Sequence, residues 1–144
     1  MEKTGKTPAK NYFTLLILIL GAAAFYQIPY LRWTFYDGMM ELSGLDNTQF
    51  GLTMSAYGTV SMILYFPGGI IADRFSSKIL VPISLIVTGL TGFWLITGPG
   101  FMGQMAAYVI LAAAGTLTFW AALIKATRNL DSGDGSKMLG LLEG

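Results

Sequence analysis

The stretch GGIIADRFSSKI, residues 68–79, breaks an otherwise oily chain: Asp73, Arg74 and Lys78 arrive within six positions, with long apolar tracts on both sides. Charge-free runs cover residues 11–31, 47–72 and 79–124. A hydrocarbon core takes about 20 apolar residues per helix, so the last run is long enough for two crossings and the total is four. Residues 68–79 then become a short polar hairpin between the second and third crossings.

Composition agrees. Of 144 residues, 53% are hydrophobic and only 12% are charged, with a mean hydropathy of +0.58. A soluble domain carries about 25% charged residues. Helices fit better than a barrel, because "YFTLLILIL" and "YVILAAAG" are unbroken where a barrel strand would alternate apolar and polar residues. In lipid such runs satisfy their backbone as helix. The expected fold is an all-α polytopic transmembrane bundle with spans at residues 12–36, 50–72, 79–97 and 101–124. Residues 1–11 form a tail ahead of them, and residues 125–144 a loop leading into the start of a fifth helix, with Ser136 as its cap.

The charges sort by side. Lys3, Lys6 and Lys10 precede the first span, Arg74 and Lys78 lie between the second and third, and Lys125, Arg128 and Lys137 follow the fourth. Asp37, Glu41 and Asp46 lie on the opposite side, where Arg32 is the single base. By the positive-inside rule both termini are cytoplasmic, and the expected location is the plasma membrane. A cleaved signal peptide is disfavoured, because the first apolar run continues past any cleavage site.

There is no cysteine and no histidine, which excludes disulfides, thiolate metal sites and histidine-based catalysis. No P-loop, G-x-S-x-G or metal-spaced cluster is present, so the expectation is a non-enzyme without metal or cofactor. A net charge of +1 gives no reason to expect nucleic acid as a partner.

Read as G-x-x-A-D-R-x-x-x-K, the residues Gly69, Ala72, Asp73, Arg74 and Lys78 resemble the loop between the second and third helices of the major facilitator superfamily. The resemblance implies a twelve-helix transporter whose two halves rock about a central site, with this chain as its first four helices and the remaining helices as its partners. It implies that Gly69, Asp73, Arg74 and Lys78 form a conformational gate, and that Gly68 and Gly69 allow close helix approach. Ser76 stands where the family has glycine, which predicts a less sharp hairpin. The family pattern R-x-x-Q-G of the fourth helix is absent: Leu111 and Ala114 occupy its arginine and glutamine positions before Gly115. That disfavours a drug/proton antiporter.

The first span carries the densest chemistry, "FYQIPYLRWTFYDG". Tyr26, Tyr30 and Trp33 recur at helical spacing, and Arg32 and Tyr36 share a neighbouring face. A guanidinium matches carboxylate or phosphate with a rigid fork of donors, so Arg32, Tyr26, Tyr30, Tyr36 and Gln27 are the candidate substrate-binding residues and the substrate is a small, anionic molecule. The span is similar to that of the organophosphate:phosphate antiporters and their organic-anion relatives. Against this stands an interfacial belt, with Arg32 snorkelling beside Trp33 and Tyr36, in a four-helix dimeric exporter or a scaffold. Gly51, Ser55, Gly58 and Tyr65 of the second span, and "AAAGT" of the fourth, read as helix-packing surfaces, and Trp120 with Lys125 as an interfacial anchor.

Overall fold

A computed structural model describes residues 8–130 and 140–141, with side chains in the first helix from Asn11 onward. Lys3, Lys6, Lys10's side chain, Ser136, Lys137 and most of the expected fifth helix lie outside the described residues. The described chain is helical, without strands: α1 (Pro8–Thr34), α2 (Tyr36–Ser43), α3 (Asn47–Arg74), α4 (Ser77–Ile96) and α5 (Phe101–Ala112), which continues through a π-helical segment, Ala113–Trp120, into α6 (Ala121–Arg128). Four stretches are long and apolar enough to cross a membrane: Asn11–Thr34, Asn47–Arg74, Ser77–Ile96 and Phe101–Arg128. The protein is an all-α helical membrane bundle.

The expected spans shift at their ends for local reasons. α1 stops at Thr34 because Phe35 leaves helical geometry (φ −121°, ψ 43°), and what reads as an acidic loop is a second helix, α2. Gly44 closes α2 in the left-handed region, φ 65°, with its N–H on the Glu41 carbonyl, a conformation that costs glycine least. α3 begins three residues before the expected span at 50–72, because Asp46 and Gln49 form a reciprocal capping box. The Asp46 Oδ1 accepts from the Gln49 N–H at 2.8 Å, and the Asp46 N–H donates back to the Gln49 Oε1 at 3.3 Å.

The fourth span is the centre of the bundle. It has more buried residues than any other span, and α1, α3 and α4 all pack on it. Its inner face carries Ala107, Tyr108, Leu111, Ala112, Phe119 and Leu123, all fully buried. Phe119 stacks on Phe25 of α1 at 4.3 Å. Gly115 sits where a side chain would press on the Phe25 ring at 3.1 Å, which agrees with the packing role expected of "AAAGT". The outward face is reversed relative to a soluble protein: Met62, Phe66, Phe93 and Met102 are each more than 70% exposed. Apolar surface on this scale is stable against lipid.

The two ends of the bundle differ in charge. Asn11 Nδ2 donates to the Leu130 carbonyl at 2.8 Å, which brings the start of α1 to the end of α6. Lys125 Nζ reaches the carbonyls of Ala72, Asp73 and Phe75, at 2.6, 3.2 and 3.4 Å, which brings the end of α6 to the α3–α4 turn. Arg74, Lys78, Lys125 and Arg128 thus share one basic end. Asp37, Glu41 and Asp46 lie at the other.

Candidate functional site

Arg32 is 5% exposed. It falls on the stripe of α1 that packs inward, with Leu15, Phe25 and Pro29, so the helix that buries those side chains carries the guanidinium inward too. Its Nη1 donates to Thr53 Oγ1 at 3.2 Å and its Nη2 to the Phe50 carbonyl at 2.7 Å, both on α3. The Phe50 ring lies 3.7 Å beneath the guanidinium and the Tyr108 ring 5.7 Å away. The aromatic faces replace part of the lost hydration.

An arginine has five N–H donors, and those two bonds leave the others unspent. Among the described residues no carboxylate pairs with Arg32. Beside it, Tyr108 is fully buried, and its Oη lies within electrostatic reach of the Arg32 guanidinium without a well-formed hydrogen bond among the described residues; Gln104, one turn earlier on α5 and 2% exposed, leaves its Oε1 unpartnered there. The result is a desolvated cation with spare donors next to buried polar atoms that lack well-formed hydrogen bonds. An anion would take the spare Arg32 donors and the Tyr108 hydroxyl, and a hydroxyl on the same molecule would donate to the Gln104 Oε1.

The belt arrangement is not what forms. Trp33 is 71% exposed on the adjoining face while Arg32 turns into the bundle. Tyr36 donates to Asn47 Oδ1 at 2.8 Å and meets the Phe50 ring edge-on at 5.1 Å, so it supports the floor under Arg32 from the side. Tyr26 and Tyr30 are 6.2 Å apart, and they belong to a run of rings that reaches the arginine: Trp120 to Tyr26, Tyr26 to Tyr30, Tyr30 to Tyr57, and Tyr57 to Tyr108, each step between 6.2 and 6.4 Å. Gln27 is exposed and stands apart from this group.

Phe50, Thr53, Tyr57, Gln104 and Tyr108 are therefore site residues that sequence reasoning missed. A signal existed for two of them: Gln104 and Tyr108, four apart, put two polar groups on one face of an otherwise apolar span. Phe50, Thr53 and Tyr57 also share one face of α3, but nothing local marks that face as the one that meets Arg32.

At the basic end the turn is tighter than expected from Ser76 standing in place of the family's glycine. Only Phe75 and Ser76 separate α3 from α4, and Ser76 caps α4 with ordinary negative φ, its Oγ accepting from the Lys78 N–H at 3.4 Å. With no left-handed residue needed there, serine serves where the family has glycine. Lys125 caps the last carbonyls of α3. Of the two glycines, Gly68 is the one in close contact: an added Cβ would stand 2.5 Å from the Thr116 carbonyl oxygen. Gly69 faces open space, as do Gly51 and Gly58, so the small-residue face of α3 meets no helix among the described residues. Asp73, Arg74 and Lys78 are exposed, and their side chains make no hydrogen bond or ion pair among the described residues.

The chain is a membrane protein by its fold, and its relatives agree. It is 32% identical over 136 residues to the inner membrane protein YqcE of Escherichia coli strain K12, covering 94% of this chain and 32% of that protein. It is 29% identical over 125 residues to the inner membrane protein YihN of the same organism, covering 87% of this chain and 30% of that one. A more distant relative, 29% identical over 110 residues, is the probable galactarate/D-glucarate transporter GudP of Bacillus subtilis strain 168, with 76% of this chain and 24% of the relative covered. The chain spans about a third of the length of the first of these relatives. No protein-family model and no solved structure matches it.

Proposed function

We propose that these four spans are the first part of a secondary transporter of the major facilitator kind, which carries a small anionic metabolite across the plasma membrane by alternating access. The observation that carries this reading is the buried guanidinium of Arg32, which has no carboxylate partner among the described residues, since an ionised side chain held inside a membrane bundle marks a substrate or ion path. The loop signature from Gly69 to Lys78 supports the family. The Bacillus subtilis relative, named for galactarate and D-glucarate, supports a sugar acid as the anion. Arg32 holds the carboxylate, Tyr108 and Gln104 add hydrogen bonds from the fourth span, and Tyr30 and Tyr57 line the approach. Asp73, Arg74 and Lys78 gate the basic end, which faces the cytoplasm under the positive-inside rule. No chemical step is catalysed.

The test is uptake of labelled D-glucarate by cells that express the protein in a host without its own sugar-acid uptake. Arg32→Lys keeps the charge and loses the planar fork. At matched membrane levels, uptake by this variant falls at least tenfold. Wild-type uptake by the variant overturns the clamp, and failure of the unaltered protein to take up any sugar acid overturns the substrate class.

A second reading has an observation of its own: both terminal nitrogens of Arg32 already bond α3. On that reading the arginine clips α1 to α3 in a membrane scaffold. Arg32→Lys would then lower thermal stability in a protein that transports nothing.

A further inference from the structure

The basic end holds a cleft of about 680 Å³, between the start of α1, the α3–α4 turn and the end of α6, to which the transport reading assigns no ligand. Arg74, Lys78 and Lys125 line it against one carboxylate, Asp73. Lys125 is engaged with the α3 carbonyls, but the cations of Arg74 and Lys78 have no partner among the described residues. Ser76 and Ser77 line the same space, so α4 opens there and adds the positive end of its dipole. Leu18, Val81, Pro82 and Leu130 also line it and are apolar. Cations, a helix N-terminus and apolar walls meet where the spans end.

We propose that this cleft binds the phosphate headgroup of an anionic phospholipid, with Arg74 and Lys78 on the phosphate and the apolar residues along the glycerol and the first acyl carbons. Phosphate chemistry follows from the cations and the α4 N-terminus. The lipid source follows from position: basic pockets between spans at the membrane surface suit lipid headgroups, and a soluble phosphate has no use for the leucines, valine and proline. The site is distinct from Arg32, which lies toward the other end of α1.

The purified protein in neutral detergent is unfolded thermally with dioleoyl phosphatidylglycerol, with dioleoyl phosphatidylcholine and with inorganic phosphate. Phosphatidylglycerol raises the unfolding midpoint and phosphatidylcholine does not. Apparent affinity for phosphatidylglycerol falls about fivefold for Arg74→Gln and again for Lys78→Gln, whereas Lys78→Arg retains it. These side chains are exposed, so the variants fold. Equal effects of the two lipids overturn the proposal. So does an equal loss in Arg128→Gln, which removes a cation outside the cleft and would signal diffuse attraction to the surface. Full protection by inorganic phosphate alone overturns the lipid and assigns the cleft to a soluble phosphate.

Discussion

At the scale of single residues, the two neighbouring glycines of the α3 terminus look alike in sequence and differ in place. A Cβ on Gly68 would meet backbone, the Thr116 oxygen at 2.5 Å and the Leu117 Cα at 3.2 Å, and backbone cannot rotate away as a side chain can. A Cβ on Gly69 meets nothing within 4 Å. Gly68→Ala therefore forces α3 off the fourth span and costs about 1–3 kcal/mol, as overpacking does. Gly69→Ala removes only backbone freedom from a helix, which is stabilising by about 0.5–1 kcal/mol. Thermal unfolding in detergent separates them: the midpoint falls for the first and holds or rises for the second, and equal shifts would mean that the helices do not touch at Gly68. The same contrast shows where sequence reading stops. Arg32 was recognisable as chemistry because a charge in an apolar span stands out. Its partners were not, because Phe50 and Thr53 belong to another helix and become neighbours only when α1 packs on α3.

At the scale of elements, hydropathy locates each helix but not its ends, which are set by caps. Asp46 and Gln49 start α3, Phe35 and Gly44 delimit α2, and Ser76 starts α4. Capping residues are polar and short-ranged, so an apolar run under-reports them, and this is why α3 begins before the expected position. The C-terminus of α3 depends on a side chain from elsewhere. Lys125 reaches three carbonyls around that end, where a cation also complements the helix dipole. Hydrogen bonds to a charged group contribute about 1.5–3 kcal/mol each when buried; with part of this contact exposed, the lower end of that range applies to the whole cap. Lys125→Met keeps the aliphatic stem and removes the ammonium. It lowers the unfolding midpoint and speeds amide exchange in the last turn of α3, and unchanged exchange there would show that the cap contributes nothing. Arginine at the same position preserves the charge and restores most of the protection.

At the scale of the whole molecule, the sides of the bundle were readable from the sequence because charges are excluded from lipid and must collect at the ends. The structure joins the ends that the charges group: α1 to α6 through Asn11 and Leu130, and α6 to the α3–α4 turn through Lys125. It also leaves the small-residue face of α3 uncovered, which pattern alone could not tell from a packed one. Grouping does not say which end faces the cytoplasm; that direction comes from the positive-inside rule. The chain has no cysteine, so a single introduced thiol reports its own side without background. Ser76→Cys and Asn129→Cys sit at the basic end and Asp37→Cys at the acidic end, all exposed. A membrane-impermeant maleimide applied to intact cells should modify Asp37→Cys and spare the other two, and all three should react once the membrane is opened. Labelling of Ser76→Cys and Asn129→Cys in intact cells, with Asp37→Cys protected, would invert the bundle and place the lipid cleft and the proposed gate on the outer face. Labelling of Asp37→Cys together with Ser76→Cys before opening would be worse for the fold itself, since the two lie at opposite ends of spans that must then not cross.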